Sequence, residues 1–172
     1  MSWRSHFDPW RRAATVLDID YDALWDDGVR GIVFDLENTI ALYRATGLID
    51  GCPALLRRLQ EKGFSLAVVS NSVRTWVDAV CTPLGIPFVG KAGKPRRRAF
   101  RTVLDRLGLP PGQVVVVGDQ LLTDMYGAQR LGMRAILVDP LGPDEPWTSR
   151  LQRRVVPRLL RLLPEVRNFN DK

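Results

Sequence analysis

The sequence has few cysteines and no long apolar run, and both absences limit what kind of protein it encodes. The two cysteines, Cys52 and Cys81, stand in apolar contexts without the C-x-x-C spacing of a zinc site. We therefore expect neither a disulfide framework nor a zinc site, and we predict that both thiols are small core residues. No stretch approaches the ~20 apolar residues that a membrane-spanning helix needs.

The N-terminal residues lack the apolar core of a signal peptide, because Asp8 and several arginines interrupt residues 1–14. We therefore expect a cytoplasmic protein. Its 172 residues, 45% hydrophobic and 26% charged, fit one globular domain with a sizeable core. We predict a single domain over 1–172, with an N-terminal arm (1–27), a core (28–140) and a basic C-terminal segment (147–172).

The positive charge is concentrated in that C-terminal segment. Residues 147–172 carry seven basic and two acidic side chains, a net charge of +5 out of +6 for the whole chain. On a helix, one face of this segment would be apolar and the adjacent face basic. The apolar positions are Leu151, Val155, Leu159 and Leu162. Such a segment can dock on an anionic membrane, pack its leucines on the core, or do both at once, and Pro157 would kink or divide it. The bases are not interleaved with aromatic residues, so we expect no nucleic-acid partner.

Predicted strands and helices alternate along the chain. The predicted strands cover residues 31–35, 65–70, 86–89, 114–119 and 134–139. The predicted helices cover residues 21–27, 52–62, 72–84, 95–107 and 121–131. Because the strands are continuous apolar runs, they favour a parallel sheet with both faces covered. We therefore predict a three-layer, Rossmann-like α/β fold with helices on both faces of the sheet.

Polar residues stand where three of these strands end. The first strand ends in Asp35, the second in Ser70 and Asn71, and the fourth in Asp119. Taken alone, each could be a helix cap or a turn residue. In a parallel sheet, however, these ends meet at one edge, where open α/β sheets bind their ligands. The sequence therefore predicts a polar crevice there.

Four motifs occur in a fixed order along the chain: Asp35-x-Glu37-x-Thr39, then Ser70, then Lys94-Pro95, and finally Gly118-Asp119-x-x-x-Thr123-Asp124. In order, spacing and placement at strand ends, the set resembles the motifs of the haloacid dehalogenase superfamily. The N-terminal pattern, a Pro-Trp segment and a short helix before the first strand, resembles the YqeG family of lidless phosphatases (subclass IIIA). That family is related to phosphatidylglycerophosphate phosphatase. The resemblance implies dephosphorylation of phosphatidylglycerophosphate to phosphatidylglycerol in phospholipid biosynthesis.

The residue types suit phosphoryl transfer. A carboxylate at a strand end can attack phosphorus and form an aspartyl-phosphate, and a magnesium ion offsets the repulsion between the two anions. A compact ammonium and a hydroxyl can hold the transferring oxygens. We predict catalytic roles for Asp35, Glu37, Ser70 and Lys94, substrate contacts from Thr39, Asn71 and Arg96, and Mg²⁺ ligands from Asp35, Asp119, Asp124 and the Glu37 backbone carbonyl. Taken alone, Lys94 could be a surface base and Asp124 an acid at a helix start.

Glu37 departs from the superfamily pattern, which usually has aspartate two residues after the nucleophile. That residue protonates the leaving alkoxide and then activates water. Glutamate keeps the carboxyl group but extends its reach by one methylene, and a misplaced acid loses rate. Three interpretations stay open: a slower phosphatase, a phosphatase whose backbone is adjusted to glutamate, or a phosphate-binding domain without activity.

The chain has no room for a cap domain over the predicted site. Only 30 residues separate Thr39 from Ser70, and 23 separate Ser70 from Lys94. We therefore expect an open site suited to a phosphate on a large substrate, such as a phospholipid headgroup, with peripheral contact to the inner face of an anionic membrane. Arg96, in a cluster of three arginines, could bind a second phosphate or remain solvated. The alternative substrate is a soluble nucleotide or sugar phosphate.

Overall fold

The computed structural model describes residues 9–144 together with Leu151 and Val155. Its sheet has six strands, all parallel, in the order β1-β6-β5-β2-β3-β4. The strands are β1 (Arg11–Ala13), β2 (Gly31–Phe34), β3 (Ser65–Val69), β4 (Phe88–Val89), β5 (Val114–Gly118) and β6 (Arg134–Val138). The strand order reverses between β2 and β5, which makes their carboxyl ends the expected ligand crevice.

Five α-helices connect the strands: α1 (Tyr21–Asp26), α2 (Cys52–Lys62), α3 (Arg74–Cys81), α4 (Arg97–Leu107) and α5 (Tyr126–Gln129). A π-helical turn, Leu121–Met125, leads into α5. Helices α2 and α4 end at Lys62 and Leu107, as predicted, and each is followed by a glycine. Helix α2 also has Pro53 in its first turn, and the φ of 104° at Gly63 favours glycine.

The core lies on both faces of the sheet, because neighbouring strand residues point in opposite directions. In β2, Ile32 and Phe34 face a cluster that includes side chains from α1, α2 and α3. Val33 faces the other cluster, which includes side chains from α4 and α5. Helices therefore cover both faces, and the predicted three-layer, Rossmann-like parallel fold is confirmed.

Several elements differ from the prediction. The helices predicted over 72–84 and 95–107 are α-helical over Arg74–Cys81 and Arg97–Leu107. Strand β1 lies in the predicted N-terminal arm and pairs with β6, with Arg12 beside Leu137. It was missed because three residues, two of them arginine, carry no apolar pattern. Of the predicted strand 86–89, only Phe88–Val89 forms a strand. The predicted helix 121–131 starts as a π turn and its α-helical part ends at Gln129.

The predicted basic segment 147–172 lies outside the described residues except at Leu151 and Val155. Both have helical backbone, and they are 54% and 51% exposed. At these two positions the predicted apolar stripe is therefore not buried. Within the part of the chain that the structure describes, no helix combines the length and the apolar character needed to cross a bilayer.

Candidate active site

Three buried aspartates meet where the central strands of the sheet end. Asp35 follows β2 and Asp119 follows β5, and the strands pair with Phe34 beside Val117. The backbone N–H of Asp35 donates to the Val117 carbonyl at 2.8 Å, which extends the pairing by one residue. Asp124 comes from the π turn after β5. One carboxylate oxygen of each aspartate lies within 4.8 Å of the others, so the predicted convergence is present.

Asp124 reaches this cluster because residue 118 is glycine. A β-carbon on Gly118 would lie 2.5 Å from Cγ of Asp124, too close for any two carbon atoms to pack. Asp124 is also fixed by its own contacts, since the backbone N–H of Gln120 donates to its Oδ2 at 3.2 Å. The glycine therefore makes space for a carboxylate, which the motif alone does not reveal.

Lys94 supplies a buried positive charge between two of the aspartates. Its Nζ donates to Oδ1 of Asp35 at 2.5 Å and to Oδ1 of Asp124 at 2.6 Å. Burial by itself lowers the pKa of the Lys94 ammonium, but the two carboxylates outweigh burial and raise that pKa above its ordinary value. The ammonium therefore stays protonated and holds the two carboxylates in place.

Asp124 is the most deeply buried acid of the cluster, with no exposed surface. Burial raises the pKa of Asp124 to about 6, and it prevails over the charge of Lys94, which acts in the opposite direction, while the charge of Asp35 adds to the rise. One ammonium thus contacts two carboxylates and leaves negative charge uncompensated. Such a cluster attracts a further cation.

The donor set fits a magnesium ion. Asp35, Asp119 and Asp124 offer only oxygen atoms, which Mg²⁺ prefers, and their spacing allows one ion to contact all three. With three carboxylates against one ammonium, the formal charge also favours a divalent cation. Lys94 contacts Oδ1 of Asp35 and of Asp124, while Oδ2 of Asp35 accepts from the Thr39 hydroxyl and Oδ2 of Asp124 accepts from the Gln120 N–H.

Asn71 lies beside Lys94 and contacts its backbone. The Lys94 N–H donates to Oδ1 of Asn71 at 2.7 Å, and Nδ2 of Asn71 reaches the Lys94 carbonyl at 3.5 Å. The loops after β3 and β4 are joined by this pair of contacts. In the structure the Asn71 side chain joins the Lys94 loop, and the substrate contact predicted for Asn71 stays a prediction.

Ser70 lies at the end of β3 and is 1% exposed. Its backbone N–H donates to the Val89 carbonyl at 3.0 Å, and its Oγ accepts the Ser72 N–H at 3.1 Å. The hydroxyl group therefore stands at the same edge of the sheet as the aspartates, where the sequence placed it.

Glu37 does not contact the acidic cluster through any hydrogen bond among the described residues. The hydroxyl of Ser72 donates to its Oε2, and the backbone N–H of Arg44 donates to its Oε1 at 3.4 Å. The carboxylate is thus held between the loops after β2 and β3. Sequence reasoning missed Ser72, although Glu37 and Ser72 each stand two residues after a polar strand end, on neighbouring strands.

The other two predicted substrate contacts differ in their surroundings. Thr39 is 1% exposed, and its Oγ1 donates to Oδ2 of Asp35 at 3.4 Å. It therefore contacts the predicted nucleophile, and its predicted substrate contact stays a prediction. Arg96 is exposed immediately before α4, and within the described residues no contact joins its side chain to the acidic cluster.

Exposed apolar side chains flank this edge of the sheet. Leu42 follows β2, Val73 follows β3 and Leu122 follows β5, the same three strands that carry the polar groups. These side chains, which we name the apolar rim, are 47%, 56% and 37% exposed. Leu17 is also exposed, and it too follows the carboxyl end of a strand, β1. All three side chains of the apolar rim therefore stand at the same end of the sheet as the polar groups.

Comparison with known proteins gives a consistent result. The family described as haloacid dehalogenase-like hydrolase matches residues 10–132. The chain is 34% identical over 148 residues to a probable phosphatase of Bacillus subtilis, YqeG, covering 86% of each protein. It is 31% identical over 157 residues to the chloroplastic phosphatidylglycerophosphate phosphatase 1 of Chlamydomonas reinhardtii, covering 86% of this chain and 58% of that protein.

A solved structure shows the same fold at low sequence identity. The putative 3-deoxy-D-manno-octulosonate 8-phosphate phosphatase from Vibrio cholerae superposes with a TM-score of 0.56. It is 14% identical, and the superposition covers 76% of each chain.

Proposed function

This chain belongs to the haloacid dehalogenase-like hydrolases and is a phosphatase, and from that premise we propose that it is a magnesium-dependent enzyme converting phosphatidylglycerophosphate to phosphatidylglycerol. The observation that carries the chemistry is the buried Asp35 carboxylate in contact with Lys94 at the open edge of the sheet. The similarity to a phosphatidylglycerophosphate phosphatase supports the substrate.

In the first step, a carboxylate oxygen of Asp35 attacks phosphorus and the bond to the lipid alkoxide breaks. Glu37 gives its proton to that alkoxide, so phosphatidylglycerol leaves as a neutral alcohol. In the second step, Glu37 takes a proton from water, and the water oxygen attacks phosphorus. The bond between phosphorus and Asp35 then breaks, which releases inorganic phosphate and restores the carboxylate.

The surrounding side chains hold the reacting groups. Lys94 and Ser70 hydrogen-bond the phosphate oxygens, where charge builds up during transfer. Asn71 fixes the Lys94 backbone, and Thr39 supports Asp35. Asp35, Asp119, Asp124 and the Glu37 backbone carbonyl would hold a magnesium ion, which would supply charge neutralisation. Arg96, exposed two residues after Lys94, is available to the second phosphate of the lipid headgroup.

The apolar rim supports a lipid substrate over a small metabolite. Leu42, Val73 and Leu122 expose apolar surface on the segments that follow the strands carrying the polar groups, and a soluble sugar phosphate offers nothing apolar to cover it. In contact with a membrane, these side chains would enter the acyl boundary while the headgroup phosphate reaches Asp35. We propose accordingly that the enzyme works in the cytoplasm, in peripheral contact with anionic lipid.

The test is phosphate release from phosphatidylglycerophosphate in mixed micelles, with magnesium and with EDTA. We expect magnesium-dependent turnover that Asp35→Asn abolishes. The matched control is Asp139→Asn, since Asp139 also follows a strand at this edge but is exposed and outside the cluster. It should retain wild-type turnover.

A second arm compares the lipid with p-nitrophenyl phosphate in the variant Leu42→Ser/Leu122→Ser. We expect the ratio of lipid turnover to turnover of the soluble ester to fall, because the change removes apolar contact with the micelle. If the wild-type enzyme turns over the soluble ester but not the lipid, the lipid substrate is contradicted and a nucleotide or sugar phosphate is favoured. No turnover of either substrate would leave the phosphate-binding interpretation.

A further inference from the structure

Both oxygens of the Glu37 carboxylate accept hydrogen bonds from the protein. Oε2 accepts from the hydroxyl of Ser72, and Oε1 accepts from the backbone N–H of Arg44. A glutamate side chain has one more rotatable bond than aspartate and therefore loses more conformational freedom when it is held in place. An acid at this position must still present its carboxyl group at a defined point to work.

Ser72 offers its hydroxyl from a rigid position. Its backbone N–H donates to Oγ of Ser70 at 3.1 Å, and its carbonyl accepts the Lys91 N–H at 2.8 Å. Both bonds use backbone atoms of Ser72, so neither depends on its hydroxyl. Removing the hydroxyl should therefore leave the loop folded while freeing Glu37.

We propose that Ser72 is a positioning residue that holds Glu37 for acid and base work and allows this site to use glutamate. The proposal rests on the role of Glu37 in the proposed function. Because aspartate is shorter by one methylene, its carboxylate would not reach the Ser72 hydroxyl from the same backbone position. Ser72 therefore matters only while residue 37 is glutamate, and Glu37→Asp slows the enzyme although it restores the usual family residue.

The kinetic test is a double-mutant cycle with p-nitrophenyl phosphate and magnesium. Ser72→Ala should lower kcat by about tenfold to a hundredfold with KM unchanged, as expected for a misplaced acid. Ser72→Thr keeps the hydroxyl and should retain most of kcat. In the Glu37→Asp background, Ser72→Ala should change kcat by less than about threefold. Ser65→Ala is the matched control, because Ser65 lies at the start of β3, away from the strand ends that form the site, and it should behave as wild type.

Three outcomes would overturn the proposal. An equal loss in both backgrounds would mean that Ser72 does not act through Glu37. A rise in KM with kcat unchanged would mean that Ser72 contacts substrate instead. A faster Glu37→Asp enzyme would mean that glutamate is merely tolerated.

Crystal structures of wild type and Ser72→Ala give a readout that needs no activity. We expect the Glu37 carboxylate to leave its place between the two loops in the variant. If the carboxylate stays in place, Ser72 does not position Glu37, and this conclusion holds even if the enzyme is an active lipid phosphatase. Conversely, an enzyme that hydrolyses p-nitrophenyl phosphate but not the lipid contradicts the lipid substrate only, since the cycle uses the soluble ester.

Discussion

Replacing Gly118 by alanine should disable the site while leaving the fold in place. The new β-carbon would lie 2.5 Å from Cγ of Asp124 and 2.5 Å from its Oδ2. Ordinary contacts begin near 3.4 Å, so the carboxylate must retreat by about 0.9 Å. It has no free path, because Lys94 and the Gln120 N–H hold its two oxygens and the residue is fully buried.

The size of the effect follows from that displacement. Shifting a group in an active site by ~1 Å can lower the rate by about a hundredfold. Crowding of one methyl group into a packed interior costs about 1–3 kcal/mol of unfolding free energy. A domain of ordinary stability survives that cost, since native domains have roughly 5–15 kcal/mol. We therefore expect Gly118→Ala to be folded and severely impaired.

The assay measures kcat for p-nitrophenyl phosphate across a magnesium titration, with urea unfolding in parallel. We expect kcat to fall by about a hundredfold and the magnesium requirement to rise, because Asp124 no longer meets the other carboxylates. The control is Gly112→Ala, where a β-carbon meets no atom within 4 Å. A Gly118→Ala enzyme within about threefold of the wild-type kcat would refute the argument from close approach.

Two further predictions follow from the buried charges and thiols. Lys94→Met should lower the unfolding free energy by about 3–5 kcal/mol, because it leaves Asp35 and Asp124 buried without a cation. The loss should be smaller at pH 5 than at pH 8 in urea unfolding with EDTA, and a loss independent of pH would contradict this. The reason lies in Asp124, whose folded-state pKa is already raised to about 6 in the wild type and rises further in the variant, which lacks the ammonium. The unfolding free energy of the variant therefore falls as pH increases through that range. Burial raises the pKa of Cys52 and Cys81 to about 12, so ~1 in 10,000 thiols is ionised at pH 8. Neither should react with Ellman's reagent until urea unfolds the protein, and a fast reaction of one thiol in the native state would contradict their burial.

The fold class and the polar residues at the strand ends could be predicted from the sequence alone. Continuous apolar strands such as 114–118 and helix stops such as Gly63 depend on neighbours along the chain, so their pattern is visible without a structure. Strand β1 could not be predicted in this way, because Arg11–Ala13 forms a strand only by pairing with β6.

Only the tertiary structure decided which partner each polar side chain meets. Asn71 contacts the Lys94 backbone, and Glu37 contacts Ser72, across loops that are 23 and 35 residues apart in sequence. The same holds for Gly118, whose missing side chain matters because Asp124 folds back against it. Residue types and spacing determine which chemistry is available, but packing between strands determines which atoms come within hydrogen-bond distance, because those contacts join segments that no local pattern relates.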